Sequence, residues 1–298
     1  MHQFLAAYRD LLVVSESTYQ PAGDRRSRLY RISAVVLRRR NLGESDRILT
    51  VFGREVGKHR LVAKGVRRPG SKLAGHCEPF MLTNMMLART RGLPILSQAE
   101  TQRAFPKLRT DERRIAIASL MAERVDSLTG EDEAQPGIFE LLVNALELLE
   151  QGADPDKVQI IFEQVLLREA GYRPELTACV NCGAELRPEP SGFQVSRGGA
   201  VCPRCLPAQP GVIPLSVDAL KVLRLVDRGE PGRLLGARVP ERVIAEVKVA
   251  LASYIASITG RDSGAARVIR ELKLEYAYLD QDQRPEDDDG LPGQAAGS

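Results

Sequence analysis

The spacing of apolar residues divides the chain into a strand-like part and a helical part. Between residues 31 and 105, short runs rich in β-branched residues alternate with turn residues, and they predict five strands, over 32–37, 47–52, 59–66, 78–87 and 95–103. In the third run, Arg60 and Lys64 fall on one face and Leu61 and Ala63 on the other. Five short strands separated by turns are typical of a small all-β barrel or sandwich.

After Phe105-Pro106 the apolar residues recur at helical spacing, which predicts helices over 111–128 and 137–150. Three further helices are expected to begin at Asp154-Pro155, Ser216 and Pro240, where a capping residue or a proline opens each pattern, and to end at Gly171, Gly229 and Gly260. A last helix is predicted from the stripe Val268, Leu272, Tyr276 and Leu279. We therefore expect an all-β module followed by an all-α region.

Four of the five cysteines form two close pairs inside the helical part. Cys179 and Cys182 are followed, after 19 residues, by Cys202 and Cys205, which gives the pattern C-x2-C-x19-C-x2-C. This spacing is typical of a zinc ion held by four thiolates, a closed and structural site. Free thiols or a redox pair are the alternative, which two correctly spaced pairs with turn residues disfavour. The sequence predicts one structural Zn²⁺ in a small ribbon, with 193–195 as one of its strands.

Positive charge is concentrated near the amino end. Residues 31–75 contain 12 Lys/Arg against three Asp/Glu, whereas the whole chain of 298 residues has a net charge of +3. A basic third joined to an acidic remainder is typical of a module that binds a polyanion. A solvated basic face is the alternative. The candidate phosphate-binding residues are Arg38, Arg39, Arg40, Arg47, Lys58, Arg60, Lys64, Arg67, Arg68 and Lys72.

Other residue types add little chemistry. Phe52, Phe80 and Phe105 are expected in the core rather than as platforms for bases, so backbone contact without base readout is favoured. Cys77 is expected to be buried, and His59, among basic residues, is a poor general base. No Walker, zinc-protease or nucleophile-elbow motif is present, so we expect no enzyme. No apolar run is long enough to cross a membrane, and the N-terminus lacks the basic region and apolar core of a secretion signal, which predicts a cytoplasmic protein.

Several segments, in order, resemble the RecO family of bacterial recombinational DNA-repair mediators. Residues 30–52, YRISAVVLRRRNLGESDRILTVF, are similar to the family's opening strands, and 57–68, GKHRLVAKGVRR, to its basic third strand. Residues 163–184, EQVLLREAGYRPELTACVNCGA, are similar to the helix that leads into its zinc knuckle. The resemblance covers about 30–280, and the segments before and after it depart from the family pattern.

The resemblance implies an N-terminal OB-fold barrel and a helical domain with an inserted four-cysteine zinc ribbon. The domains expected are an N-terminal extension over 1–30, the OB-fold over 31–109, a helical domain over 110–178 and 206–280, the ribbon over 179–205 and an acidic, disordered tail over 281–298. The resemblance supports the four cysteines as zinc ligands. It supports the basic residues of the barrel as DNA-binding residues only as a group.

The function implied is that of a recombination mediator at the nucleoid. Family members bind single- and double-stranded DNA, anneal complementary strands, engage the RecR ring and the C-terminal tail of single-strand-binding protein, and help to load recombinase. A nuclease or nucleotidyl transferase with a structural zinc ribbon is the alternative, and it would need clustered carboxylates for Mg²⁺. In the basic third, Glu44 and Asp46 are the only close pair. A regulator that reads the major groove with a helix is disfavoured, because the excess of Lys and Arg lies on strands.

Overall fold

A computed structural model describes residues 27–206 and 211–260. The predicted N-terminal extension (but for its last four residues), the final helix and the acidic tail therefore lie outside the described residues. The barrel strands are β1 (Leu29–Leu42), β2 (Asp46–Gly53), β3 (Gly57–Ala63), β4 (Leu82–Ala88) and β5 (Ile95–Arg103). The helices are α1 (Glu112–Leu128), α2 (Pro136–Glu150), α3 (Pro155–Glu169), α4 (Val217–Asp227), α5 (Pro231–Gly236) and α6 (Glu241–Thr259).

The five strands close into a barrel in the order β1-β2-β3-β5-β4, with β3 and β5 parallel and the other neighbours antiparallel. This is the OB-fold arrangement that the resemblance implied. Alternate residues of the strands, such as Ile32, Val51, Leu61 and Met85, fill the interior and form a cluster of their own. The strand bounds were wrong in three places: β1 continues past residue 37 to Leu42, β3 ends at Ala63 so that Lys64 lies beyond it, and β4 begins at Leu82 rather than at residue 78.

The difference at β4 has a local cause. Phe80 adopts φ +67, a left-handed conformation that a bulky residue rarely takes and that ends any regular strand. Its backbone N–H donates to the carbonyl oxygen of Val36 (2.7 Å), and its ring is buried against the helical region. The chain therefore turns at Phe80, and β4 begins only after this turn, at Leu82.

A second, larger cluster joins the barrel to the helices. The outward-facing side chains of Val35, Leu37 and Phe52 are buried together with apolar residues of α1 to α4 and α6. Phe80 and Phe105 belong to the same cluster, which confirms that the three phenylalanines are core residues. The apolar outer face of the barrel is therefore the part that docks on the helical region.

The helix ends follow the predicted capping residues. The side chain of Asp154 accepts hydrogen bonds from two N–H groups at the start of α3, and Ser216 accepts one from Ala219 at the start of α4. Gly260 follows α6 with φ +65, as a C-terminal cap requires. The short helix α5 was not predicted from the sequence. None of the helices in the described ranges has both the length and the apolar character needed to span a membrane.

The cysteine segment forms a three-stranded sheet in the order β7-β6-β8, made of β6 (Ser191–Gln194), β7 (Gly199–Val201) and β8 (Val212–Leu215). Phe193 and Gln194 lie on the predicted strand, whereas Val195 begins a 3₁₀ turn. Phe193, Ala200 and Leu215 are buried in the same large cluster as the helices. The ribbon is thus packed onto the helical region.

Candidate nucleic-acid face and metal centre

Strand pairing places several of the predicted cations on the outer face of β1, β2 and β3. Arg38 lies opposite Thr50, which lies opposite Arg60, so these three residues form one row across the strands. In the same way Arg40 lies in a row with Ile48 and Val62. Directly opposite residues of antiparallel strands project to the same face of the sheet. The outer face therefore carries two adjacent rows, one with an arginine at both ends and one with an arginine at its β1 end.

Five exposed cations at the end of β1 and in the segment after β3 have no ion pair within the described residues. We call them the open basic patch; its members are Arg40, Lys64, Arg67, Arg68 and Lys72. Arg67 holds the loop after β3 against the turn, because its backbone N–H donates to the Ser45 carbonyl (2.9 Å) and its guanidinium to that of Gly43 (3.1 Å). Part of the predicted basic surface is thus exposed and ordered by backbone contacts.

Asp46 belongs to the same turn, where it has a structural role. Its Oδ1 accepts hydrogen bonds from the backbone N–H of Gly65 (2.7 Å) and from the Ser45 hydroxyl (3.1 Å). The hydrogen bond from Gly65 is the main reason that the pKa of Asp46 lies below its usual range. Glu44 is exposed. Within the described ranges, the four cysteines are the only group of three or more His, Cys, Asp or Glu residues arranged to hold a metal ion.

The other five predicted cations contact carboxylates. Arg38 pairs with Asp126 (Nε–Oδ2 3.2 Å) and Arg60 with Glu131 (Nε–Oε1 3.3 Å), and both arginines remain exposed. Lys58 is only 12% exposed and donates to the carbonyl oxygen of Asp126 (2.7 Å). Half of the predicted cations thus have an acidic partner within the molecule, although these five share only three carboxylates, those of Asp126, Glu131 and Glu78.

Arg39 and Arg47 both contact Glu78, at the rim of the barrel. Arg47 is 18% exposed, and its Nη1 lies 3.4 Å from the carboxylate. The charge of these two arginines is shared with one acid, so they contribute less to the outer surface than their number suggests. Their assignment as phosphate contacts stays a prediction.

Sequence reasoning left out a second group of exposed arginines. Arg28 and Arg89 are joined by a backbone hydrogen bond (2.9 Å), and Arg31 and Arg91 lie nearby along β1 and in the β4–β5 loop. The guanidinium of Arg89 lies 4.3 Å from the centre of the Tyr30 ring, a cation–π contact. These residues lie outside or at the margin of the densest run of charge, and only the pairing of β1 with β4 brings them together.

The four predicted zinc ligands meet at one point. Their sulfur atoms all lie within 4.8 Å of one another, and the Sγ atoms of Cys182 and Cys202 are 3.7 Å apart. Tetrahedral zinc with Zn–S bonds of about 2.3 Å requires sulfurs roughly 3.8 Å apart. Cys179 and Cys202 are buried, and Cys182 is exposed. The set therefore fits a closed four-thiolate metal site.

Backbone groups around the sulfurs favour a thiolate. Burial alone would raise the pKa of Cys179, but N–H groups of Cys202, Cys182 and Asn181 point at its sulfur and lower the pKa to about 6. Cys205 behaves oppositely: although Asn181 lowers its pKa, burial and the three neighbouring thiols raise it to about 11. Four thiols this close cannot all lose their protons, because neighbouring thiolates repel one another. A cation bound between them removes that repulsion and allows all four to ionise.

The cysteine ribbon is held against the helices by a close approach at Gly198 and by hydrogen bonds from Arg224. A Cβ on Gly198, whose φ is +64, would lie 2.3 Å from the hydroxyl of Tyr254 on α6. Arg224 of α4 donates to the carbonyl oxygens of Leu176 (2.8 Å) and Leu186 (2.9 Å), on either side of the first knuckle. The helices therefore fix the position of the metal centre.

A barrel followed by helices with a cysteine knuckle is the architecture that the resemblance to the RecO family of DNA-repair proteins implied, and comparison with known proteins tests that resemblance. The model of the family "Recombination protein O N terminal" matches residues 27–105, and that of "Recombination protein O C terminal" matches residues 109–263. The chain belongs to the RecO family.

Several curated relatives carry the name DNA repair protein RecO. That of Roseiflexus sp. (strain RS-1) is 38% identical over 249 residues, which is 83% of this chain and 87% of the relative. That of Desulforamulus reducens is 35% identical over 76% of this chain and 89% of the relative. That of Symbiobacterium thermophilum is 36% identical over 78% and 93%. The resemblance seen in the sequence is thereby confirmed.

Proposed function

We propose that this protein is a non-enzymatic mediator that binds single- and double-stranded DNA through its barrel and anneals complementary strands. The observation that carries the proposal is the open basic patch, made of Arg40 on the outer face of β1 and four cations in the segment after β3; an OB-fold holds nucleic acids on its second and third strands and the neighbouring loops. Cations lower the repulsion between two phosphate chains, and holding both strands on one protein raises the effective concentration of complementary bases. Base pairing supplies the specificity.

The half-exposed side chains of Ile48 and Val62 lie beside Arg40 on the same face. They offer an apolar surface without a hydrogen-bonding pattern. Such a face can accommodate sugars and bases of any sequence while arginines hold the phosphates. This arrangement supports binding that tolerates any sequence, as annealing requires.

A triple variant, Arg40→Gln, Arg67→Gln and Arg68→Gln, tests the DNA-binding part. Single-strand affinity should fall sharply, and the slope of log K against log salt should become shallower by about 2, because each lost phosphate contact removes about 0.7. A matched control is Arg233→Gln, Arg238→Gln and Arg242→Gln, which removes the same charge from exposed positions around α5 and α6. Equal losses in the two triple variants would reject the open basic patch as the binding site.

Annealing of two complementary oligonucleotides, with neither nucleotide nor metal added, tests the activity. The wild type should accelerate pairing and leave both strands intact, and the triple variant of the open basic patch should not accelerate it. Cleaved or extended products in the presence of Mg²⁺ would favour a nuclease or a nucleotidyl transferase instead.

We propose that the four cysteines hold one structural Zn²⁺. The support is the donor set: four sulfurs at the spacing of a tetrahedral site, two of them buried, leave no position for a substrate. The ion would supply folding free energy to the ribbon. Metal analysis of the purified protein should find about one zinc per chain.

The remaining partners are those that the resemblance to the family implies. We propose that the helical region docks a RecR-type ring protein and the C-terminal tail of single-strand-binding protein, and that the complex helps to load recombinase at the nucleoid, in the cytoplasm. Titration calorimetry of the full chain with each partner tests these contacts.

A further inference from the structure

An acidic segment of the chain lies along the basic outer face of the barrel. We call residues 130–134, which carry Glu131, Asp132 and Glu133, the acidic loop. Its backbone is fixed to β3, because the N–H of Asp132 donates to the carbonyl oxygen of Lys58 (2.8 Å). At Gly57 the loop approaches so closely that a Cβ would lie 1.7 Å from the Glu133 carbonyl oxygen.

Three carboxylates of this region, those of Asp126, Glu131 and Asp132, contact basic side chains of the barrel. Glu131 pairs with Arg60, and Asp132 contacts the Nδ1 atom of His59. Asp126, near the end of α1, pairs with Arg38. These acids come from the helical part of the sequence, whereas their partners come from the barrel. Carboxylate oxygens therefore occupy the positions where phosphate oxygens would neutralise the same arginines.

The two arginines are placed to continue the open basic patch. Arg38 and Arg60 lie in one row, and Arg40 belongs to the next row along the same face. Rows that share a face are separated by two residues, or roughly 6.6 Å of strand. A phosphate chain that follows the outer face from Arg40 would next meet Arg38 and Arg60.

The contacts that cover these arginines are weak enough to be exchanged. Arg38 is 65% exposed and Arg60 is 48% exposed, so solvent and ions reach both ion pairs. An exposed ion pair changes an equilibrium by only about fivefold or less. A multivalent polyanion held on neighbouring cations can displace such a partner. By contrast, Lys58 is largely buried against Asp126 and stays with the protein.

We infer that Arg38 and Arg60 are a gated extension of the DNA-binding face, and that the acidic loop together with Asp126 is an internal competitor that nucleic-acid phosphates must displace. This inference rests on the proposed function and deepens it, since it names a second set of contacts on the same face and what controls them. Because of this competitor, a weakly bound strand contacts only the open basic patch. A strand must be long enough to reach from Arg40 to the row of Arg38 and Arg60 before it contacts both sets of cations.

The variant Glu131→Gln tests the gate. It removes one charge, keeps the shape of an exposed side chain and releases Arg60. The matched control is Glu140→Gln, which breaks the exposed pair between Glu140 of α2 and Arg54 (3.1 Å). Arg54 lies in the β2–β3 turn, at the opposite end of β2 from the open basic patch. Both variants change the net charge equally, so their difference reports the position of the released arginine.

For Glu131→Gln, we expect the affinity for a single-stranded oligonucleotide at low salt to rise about two- to fivefold, because the competitor is lost. The slope against log salt should steepen by about 0.7, the contribution of one more phosphate contact. Glu140→Gln should leave the slope unchanged. Adding Arg60→Gln to Glu131→Gln should abolish the gain, since the released cation is then absent.

Equal affinities and slopes for Glu131→Gln and Glu140→Gln would overturn the gate and leave the proposed function intact. A gain that persists in the Arg60→Gln and Glu131→Gln double variant would also overturn it. A wild-type protein without salt-dependent DNA binding would overturn both proposals. Thermal unfolding of each variant checks that the fold is retained.

Discussion

At the scale of single residues, the structure contains a buried ion pair that the sequence analysis did not predict. Arg124 on α1 and Glu163 on α3 are almost completely buried and form an ion pair (Nε–Oε1 2.9 Å), and Gln159 donates to the other carboxylate oxygen (3.4 Å). Taking two charges out of water is costly, and the cost is offset only while both partners are present. The pair ties two helices together at a fixed register.

The variant Glu163→Gln should therefore destabilise the protein by about 3–5 kcal/mol, because Arg124 keeps its charge and loses its partner. Urea unfolding measures the change. The control is Asp218→Asn, which breaks a pair with Lys221 whose side chains are both more than half exposed, and which should cost well under about 1 kcal/mol. A cost for Glu163→Gln as small as that of the control would show that water reaches the buried pair.

At the scale of elements, the contact between β3 and the acidic loop depends on one glycine. Gly57 has φ +65 and Gly43 has φ +58, but only Gly57 has a neighbouring backbone within reach of a Cβ. Alanine at Gly43 should cost about 1–2 kcal/mol, the usual cost of the left-handed conformation. Alanine at Gly57 should cost clearly more, because the backbone at Glu133 must also move. Urea unfolding compares the two, and equal costs would contradict the close approach.

Elements with a strong local pattern were predicted correctly from the sequence. The capped helix α3 and the strand β2, predicted over 47–52 and observed over Asp46–Gly53, are examples, because their signals arise within a few neighbouring residues. The start of β4 was wrong, since the turn at Phe80 is held by the distant Val36 carbonyl and by the helical region. Local propensity cannot indicate a conformation that tertiary contacts impose.

In the two candidate sites, too, the sequence indicated what local spacing or charge density determines, but not the contacts that the fold creates. The four cysteines could be identified because their spacing carries the geometry of the ligand shell. The ten cations were identified by charge density, which does not indicate which of them have acidic partners. Asp126 and Glu131 follow Arg38 and Arg60 by about 70 to 90 residues, and only the fold brings them together.

At the scale of the whole molecule, the described residues form two separate apolar clusters, and we expect a substitution in one cluster to destabilise that cluster more than the other. The interior of the barrel contains Cys77, Leu49 and Leu61. The larger cluster contains Cys179 and Cys202 together with the helices and the barrel's outer face. Loss of a metal ligand should therefore loosen the ribbon and the helices, and affect the barrel only through its docked face.

Two conservative variants, Cys202→Ser and Cys77→Ser, separate these responses. Cys202→Ser should release the metal and lower amide-exchange protection in β6, β7 and α3, while β2 retains most of its protection. Burial raises the pKa of Cys77 to about 11, so it is a neutral core thiol, and Cys77→Ser should weaken β2 and retain the metal. Hydrogen exchange with metal analysis measures both, with DNA affinity expected to follow the barrel. If Cys202→Ser lowered protection equally in β2 and α3, the two clusters would unfold as one unit, and the metal centre would stabilise the DNA-binding face directly.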